Sequence, residues 1–247
     1  MLKKYFKQIF IMIFLIFSVV LTAEDNFMAV GNIKIVRPEP LLIKREDLNI
    51  TIEKDSTIKV ESMYTFSNLG EYNIKSTFMF WLDQTRENDN NNPNNSNKNN
   101  KGKYIKNIQF YSDYKKSKNL RAVIKFDENI YENQTVGNIQ REWFAISKTI
   151  PSKEEGKLGV YYDLQNTGFN RTKKFVYSFD LVSNFSEKNK VEILYVNVYN
   201  KSGRKIDSIV YRDYEFKNLT GKKSDKEHYE LLVSNVNLDE KLVIKFK

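Results

Sequence analysis

The sequence predicts an all-β fold, an antiparallel β-sandwich of about a dozen short strands. Three observations carry that expectation. Apolar residues recur with a period of two, no segment sustains a 3.6-residue period, and Asn, Gly and Ser interrupt the chain at short intervals. A chain of 247 residues is long enough to bury roughly 70% of the surface its unfolded form exposes. It needs no covalent staples, and with no Cys it has none.

The first segment stands apart. Lys3, Lys4 and Lys7 precede an apolar run from Ile9 to Val20, which ends in Leu21-Thr22-Ala23. A positive start, a hydrophobic middle and a small residue at the boundary read as a secretory signal peptide over residues 1–23. The run is shorter than the ~20 residues a spanning helix needs. No later stretch is apolar enough to serve, so no transmembrane helix is expected in the mature chain. The expected destination is the periplasm or the exterior. The absence of Cys excludes a lipid-anchored lipoprotein and argues against a small disulfide-dense scaffold. A bacterial envelope or secreted protein fits.

The strands follow in order. Asn32–Val36 and Leu48–Ile52 come first. Ile58, Val60, Tyr64 and Phe66 then alternate with Lys59, Glu61 and Thr65. Ile74, Phe78, Phe80 and Leu82 repeat the pattern, and the turn residues between predict a hairpin. Further strands are expected at Tyr104–Tyr111, Arg121–Phe126, Trp143–Ile150, Gly159–Leu164, Lys174–Val182, His228–Val233 and Lys241–Phe246. Val191–Tyr199 is apolar on both faces, which predicts a central strand buried on both. Lys201-Ser202-Gly203-Arg204 then predicts a hairpin to Ile206–Tyr211.

Residues 87–103 hold almost no apolar side chain and are expected to form a disordered Asn-rich loop. Residues 217–227 are expected to form a second exposed loop. A boundary near Pro151 divides residues 24–150, an N-terminal β domain, from residues 151–247, a C-terminal β-sandwich. One continuous sandwich is the competing arrangement.

Glu46-x-Leu48-x-Ile50, followed by Val60-x-x-x-Tyr64-x-Phe66-x-Asn68, resembles the opening of an uncharacterised family of bacterial secreted proteins. That resemblance implies export and an all-β domain, and it brings no activity with it. The family's prolines after a Phe in the next strand are absent here, where the chain reads Phe78-Met79-Phe80-Trp81-Leu82.

Catalytic chemistry finds little to use. His228 is the single histidine, so a multi-His zinc site is excluded, and its charged neighbours place it at a loop edge. The adjacent carboxylates Asp127/Glu128, Glu154/Glu155 and Asp239/Glu240 would point to opposite faces of a strand rather than flank a substrate. No Gly-rich phosphate loop and no calcium loop occurs. No enzyme activity and no cofactor is expected.

The net charge of +9 comes with 28 Asn and abundant Lys, Ile, Phe and Tyr, a composition that AT-rich codons produce. Tyr111, Tyr114, Lys115, Lys116 and Lys118 are an example of a local patch where rings and cations could combine to stack on and neutralise a ligand. The expected function is non-catalytic binding. The partner is unknown; a protein or an acidic glycan of the cell envelope is the expectation, and nucleic acid is not. A small outer-membrane β-barrel is the alternative, since Leu242-x-Ile244-x-Phe246 resembles a barrel's final strand. Against it stand the terminal Lys247, the short strands and the two-sided apolar strand at 191–199.

Overall fold

The computed structural model describes residues 29–31, 34–35, 40–85, 105–112, 115–117, 139–164, 173–179, 190–221 and 226–247. They form fifteen strands: β1 (Ala29–Gly31), β2 (Lys34–Ile35), β3 (Leu41–Ile52), β4 (Ile58–Asn68), β5 (Ile74–Thr85), β6 (Ile105–Ser112), β7 (Lys115–Ser117), β8 (Ile139–Ile150), β9 (Glu155–Leu164), β10 (Lys174–Ser178), β11 (Lys190–Asn200), β12 (Ile206–Val210), β13 (Lys217–Asn218), β14 (Glu227–Asn237) and β15 (Lys241–Phe246). The expected signal peptide, the Asn-rich loop 87–103 and the strand at 121–126 lie outside the described residues.

The strands make two sheets. A seven-stranded sheet runs β12-β15-β10-β1-β5, with β2 and β8 also paired to β5, and an eight-stranded sheet runs β13-β14-β11-β3-β4-β9-β6-β7. One core lies between them, drawing Leu48, Ile50, Val60 and Val196 from the larger sheet and Phe78, Phe175, Tyr177 and Ile244 from the smaller. Phe66 and Phe78 meet across it at 4.7 Å. This is a sandwich, built because each strand's alternating apolar set needs a second sheet to cover it. Among the described residues both sheets are open paths, and neither closes into a barrel.

The sheets are not purely antiparallel. β1 pairs with β10 in parallel, and β3 pairs with β11 in parallel from Val191↔Ile43 to Asn200↔Ile52. Strands from both sides of Pro151 interleave, with β4 beside β9 and β3 beside β11, so neither sheet belongs to one half of the chain. Several strands are also longer than expected: β3, β5 and β8 reach 12 residues.

Both expected hairpins are corrected. β4 lies in the larger sheet and β5 in the smaller, while β11 lies in the larger and β12 pairs with β15 in the smaller. The links 69–73 and 201–205 are therefore corners that cross between sheets. Polar side chains hold them. The Asn68 amide donates to the carbonyls of Tyr72 (2.8 Å), Ile150 (3.1 Å) and Pro151 (3.0 Å), and its oxygen accepts from Gly70 N–H at 2.8 Å. The Asn200 amide donates to Arg204 O at 2.5 Å and to Glu227 Oε2 at 2.6 Å, which also accepts from Ile206 N–H at 2.9 Å. A tight hairpin joins β3 to β4 instead: Glu53 N–H donates to Thr57 O at 2.9 Å, with Ser56 in the left-handed region at φ 69°. Residues 217–218 are not loop but a short strand paired with β14.

Glu46 is buried in the core at 0% exposure, and Ser62 Oγ donates to its Oε1 at 3.1 Å. Tyr64, Tyr162, Tyr177 and Tyr211 are buried as well. Burial first, and the Glu46 charge among the lesser causes, push the phenols of Tyr162 and Tyr177 well above their ordinary range. A polar constellation thus sits inside the sandwich, where each hydroxyl and carboxyl must find its bond in protein.

Candidate functional site

Residues directly opposite in a sheet share a face, so the register of the eight-stranded sheet determines what its outer face presents. One row reads Lys217, Glu230, Asn197, Asn49, Glu61 and Tyr161 across β13, β14, β11, β3, β4 and β9. The next reads His228, Tyr199, Thr51, Lys59 and Asp163, and the row on the other side reads Leu232, Tyr195, Asp47, Met63 and Gly159.

β11 sets the centre of this face. Leu194, Val196 and Val198 turn inward and are fully buried, which turns Tyr195, Asn197 and Tyr199 outward. The expectation of a strand central in its sheet holds, since β14 and β3 flank it. Its outer side is half-buried at Ile193, Tyr195 and Tyr199 rather than part of a core.

These side chains form a connected set. His228 Nε2 lies 3.0 Å from Asn197 Oδ1, and Asn197 Nδ2 donates to Asn49 Oδ1 at 3.1 Å. The Tyr199 and His228 rings stack at 4.4 Å with an 18° tilt. Tyr195 donates its hydroxyl to Glu230 Oε2 at 2.6 Å, and that bond is the main reason its phenol is raised above the ordinary value. Arg45 lies 5.8 Å from the Tyr195 ring centroid and holds Asp47 through Nε and Nη2 at 2.7–2.8 Å. On β9, Tyr161 donates to Asp163 Oδ1 at 2.6 Å. The arrangement is pre-bonded, with aromatic rings, amides and charges interleaved.

At one end of the face, the inward-facing residues change parity at a bulge between Ile43 and Arg45. The irregularity opens a groove of about 490 Å³ lined by Lys44, Arg45, Lys157, Glu155 and Glu192. Its charges are largely spent on one another. Lys44 and Glu155 pair at 2.7 Å, which raises the Lys44 ammonium and lowers the Glu155 carboxyl. Of the adjacent carboxylates read from the sequence, Asp239 and Glu240 both face Arg212, while Asp127 and Glu128 lie outside the described residues.

The patch expected from sequence lies at the far edge of the same sheet. Tyr111 on β6 is the backbone partner of Lys116 on β7 and of Gly159 on β9, and Lys115 is the partner of Ser112. Tyr114 and Lys118 lie outside the described residues. Sequence reading missed Asn49, Asn197, Tyr195 and Tyr199, and it placed His228 at a loop edge. His228 instead sits half-buried in β14, stacked and bonded. The available signal was Tyr195-x-Asn197-x-Tyr199, a polar residue between two rings on one side of a strand.

No protein-family profile matches the chain, and no curated protein does. Solved structures do. A putative nutrient binding protein from Legionella pneumophila aligns at a TM-score of 0.62 and 10% identity, over 89% of this chain and 71% of that one. A putative protease from Parabacteroides distasonis aligns at 0.45 and 8% identity, over 84% of this chain and 40% of that one. An M1 zinc metallopeptidase from Deinococcus radiodurans aligns at 0.41 and 11% identity, over 83% of this chain and 42% of that one. The last two likenesses are too slight to carry an argument. The first shows that this arrangement of strands is shared with a solved protein; at such identity it speaks of the fold alone.

Proposed function

We propose that this protein is an exported, non-catalytic binding sandwich of the bacterial envelope, and that its ligand surface is the outer face of the eight-stranded sheet. The observation that carries the reading is the pre-bonded set His228, Asn197, Asn49, Tyr195 and Glu230 on that face. Groups fixed before a ligand arrives lose little freedom when it binds, which favours recognition. The chemistry of Lys3, Lys4, Lys7 and the following apolar run supports export. The nutrient-binding name of the Legionella protein agrees with a binding role. The partner is a component of the envelope, a protein or a glycan.

Cell fractionation tests the reading. The protein is expected to leave cells on osmotic shock, without detergent. Retention until detergent is added, with heat-dependent gel mobility, would overturn it in favour of a membrane-embedded form. Turnover of any envelope polymer that vanished on substituting a single carboxylate would overturn the non-catalytic part.

A further inference from the structure

We propose that the stretch of β11 between Tyr195 and Tyr199 is a subsite for a neutral, hydroxyl-rich glycan. The proposal rests on the binding reading above and names its ligand class. Tyr195 and Tyr199 stand four residues apart on one face, about 13 Å along the strand. Asn197 lies between them as a floor, only 4% exposed. That span suits a di- or trisaccharide.

The hydrogen-bond chain across the floor has two open ends. With Asn197 Oδ1 accepting from His228 Nε2–H, the His228 Nδ1 is left as an acceptor. With Asn49 Oδ1 accepting from Asn197, the Asn49 amide nitrogen is left as a donor. Among the described residues neither end meets a protein partner. Sugar hydroxyls donate and accept, so one polyol satisfies both ends. A carboxylate or sulfate only accepts, so it answers the Asn49 donor but not the lone pair of a neutral His228 ring, whereas a polyol answers both.

Charge points the same way. By register the strands beside β11 turn outward one cation, Arg45 on β3, against two anions, Asp47 on β3 and Glu230 on β14. That balance leaves no positive field around the two rings to draw in an acidic polymer. Arg45, the cation beside Tyr195, is already held by Asp47. Both rings are held as well, Tyr195 by Glu230 and Tyr199 by His228, so they offer π-surface to sugar C–H groups at little ordering cost.

Calorimetric titration of the full chain with maltotriose, chitotriose and trigalacturonate tests the proposal. At least one neutral trisaccharide is expected to bind more tightly than trigalacturonate. Tyr195→Ala and Asn49→Ala are each expected to weaken it about ten-fold. Tyr195→Phe keeps the ring and should stay within about three-fold, and Tyr72→Ala, an exposed ring elsewhere, should change nothing. Asn49→Ala keeps the test sound if Tyr195→Ala fails to fold. Absence of binding by both neutral probes at millimolar concentration would overturn the proposal, as would wild-type affinity in both Tyr195→Ala and Asn49→Ala, or tighter binding of trigalacturonate. The same proteins are passed over an immobilised envelope fraction. Retention indifferent to Tyr195 and Asn49 would sink the subsite and leave the binding reading standing. No retention and no saccharide binding would sink both.

Discussion

Replacing Asn68 should unfasten the corner between the two sheets. Its side chain is buried at 1% exposure and its amide faces three carbonyls, those of Tyr72, Ile150 and Pro151. Two amide hydrogens serve three acceptors, so one hydrogen is shared, and the side-chain oxygen accepts from Gly70 N–H. Asn68→Ala removes the equivalent of three hydrogen bonds and leaves the Ile150 carbonyl without that donor. At about 1 kcal/mol net per bond, with the desolvation of a stranded group in addition, the loss is about 3–4 kcal/mol. That is a large share of the 5–15 kcal/mol that holds a typical domain together.

Asn68→Asp separates donation from shape. The carboxylate keeps the bond from Gly70 N–H but sets negative charge against three carbonyl oxygens, so at neutral pH it should cost at least as much as Ala. The three carbonyls hold this carboxyl's proton more tightly than the unfolded chain does, and protonation restores one donor, so part of the loss should return as the pH falls toward about 4, the return being complete below it. Urea unfolding followed by circular dichroism reads both effects; with a slope of about 2–3 kcal/mol per molar, a midpoint drop of more than about 1 M is expected. If both variants unfold within about 0.5 kcal/mol of wild type, the corner is held by packing and the backbone bonds from Asn68 and Leu69 to Glu154 and Pro40, and the reasoning fails.

Other predictions concern the core and the turns. The phenols of Tyr162 and Tyr177 are raised by burial, so the folded state holds their protons where the unfolded chain releases them; their contribution to stability is intact below about pH 10 and falls as pH rises above it, by about 1.4 kcal/mol per pH unit for each. Tyr177→Phe should flatten that alkaline decline by one such increment in pH-dependent urea midpoints. Gly156→Ala would set a Cβ 2.8 Å from Ile150 Cγ1 in the core, and thermal unfolding should register about 1–3 kcal/mol of overpacking. Gly203→Ala meets no atom within 4 Å yet must hold φ at +81°, so it should lose about 1–2 kcal/mol through the backbone alone.

The strands were legible because their signal is local. Ile58 to Phe66 alternates, and that alternation is enough to make β4 whatever lies beside it. What a strand pairs with is decided elsewhere. The links after Asn68 and after Asn200 carry the same polar turn residues a hairpin would, and only the core between the sheets makes them corners. The parallel pair of β3 and β11 joins segments almost 150 residues apart with no turn between them to announce it. The site was hidden for a related reason. Asn49 and Asn197 are two among 28 Asn, and nothing in a linear reading sets them beside each other or beside His228. Tyr195 reads as core because Val191–Tyr199 is apolar on both faces. The patch at 111–118 was found because its residues are contiguous, a property that binding surfaces on sheets do not need.

Register therefore links fold and site, and the link can be measured. No tight turn fixes β11 against β3, so their alignment rests on the inward set Leu194, Val196 and Val198 meeting Glu46, Leu48 and Ile50. A slip of one residue would turn Tyr195 and Asn197 toward the core and expose its apolar set, which the apolar surface at stake forbids. The outer Asn197–Asn49 bond is then either a consequence of that alignment or a contributor to it. A double-mutant cycle with Asn49→Ala and Asn197→Ala distinguishes the two. If the bond contributes, the pair should couple by about 1 kcal/mol in urea unfolding, the net value of a partly buried amide bond. Coupling near zero would mean that the core alone sets the register, leaving the amide chain for the ligand to use.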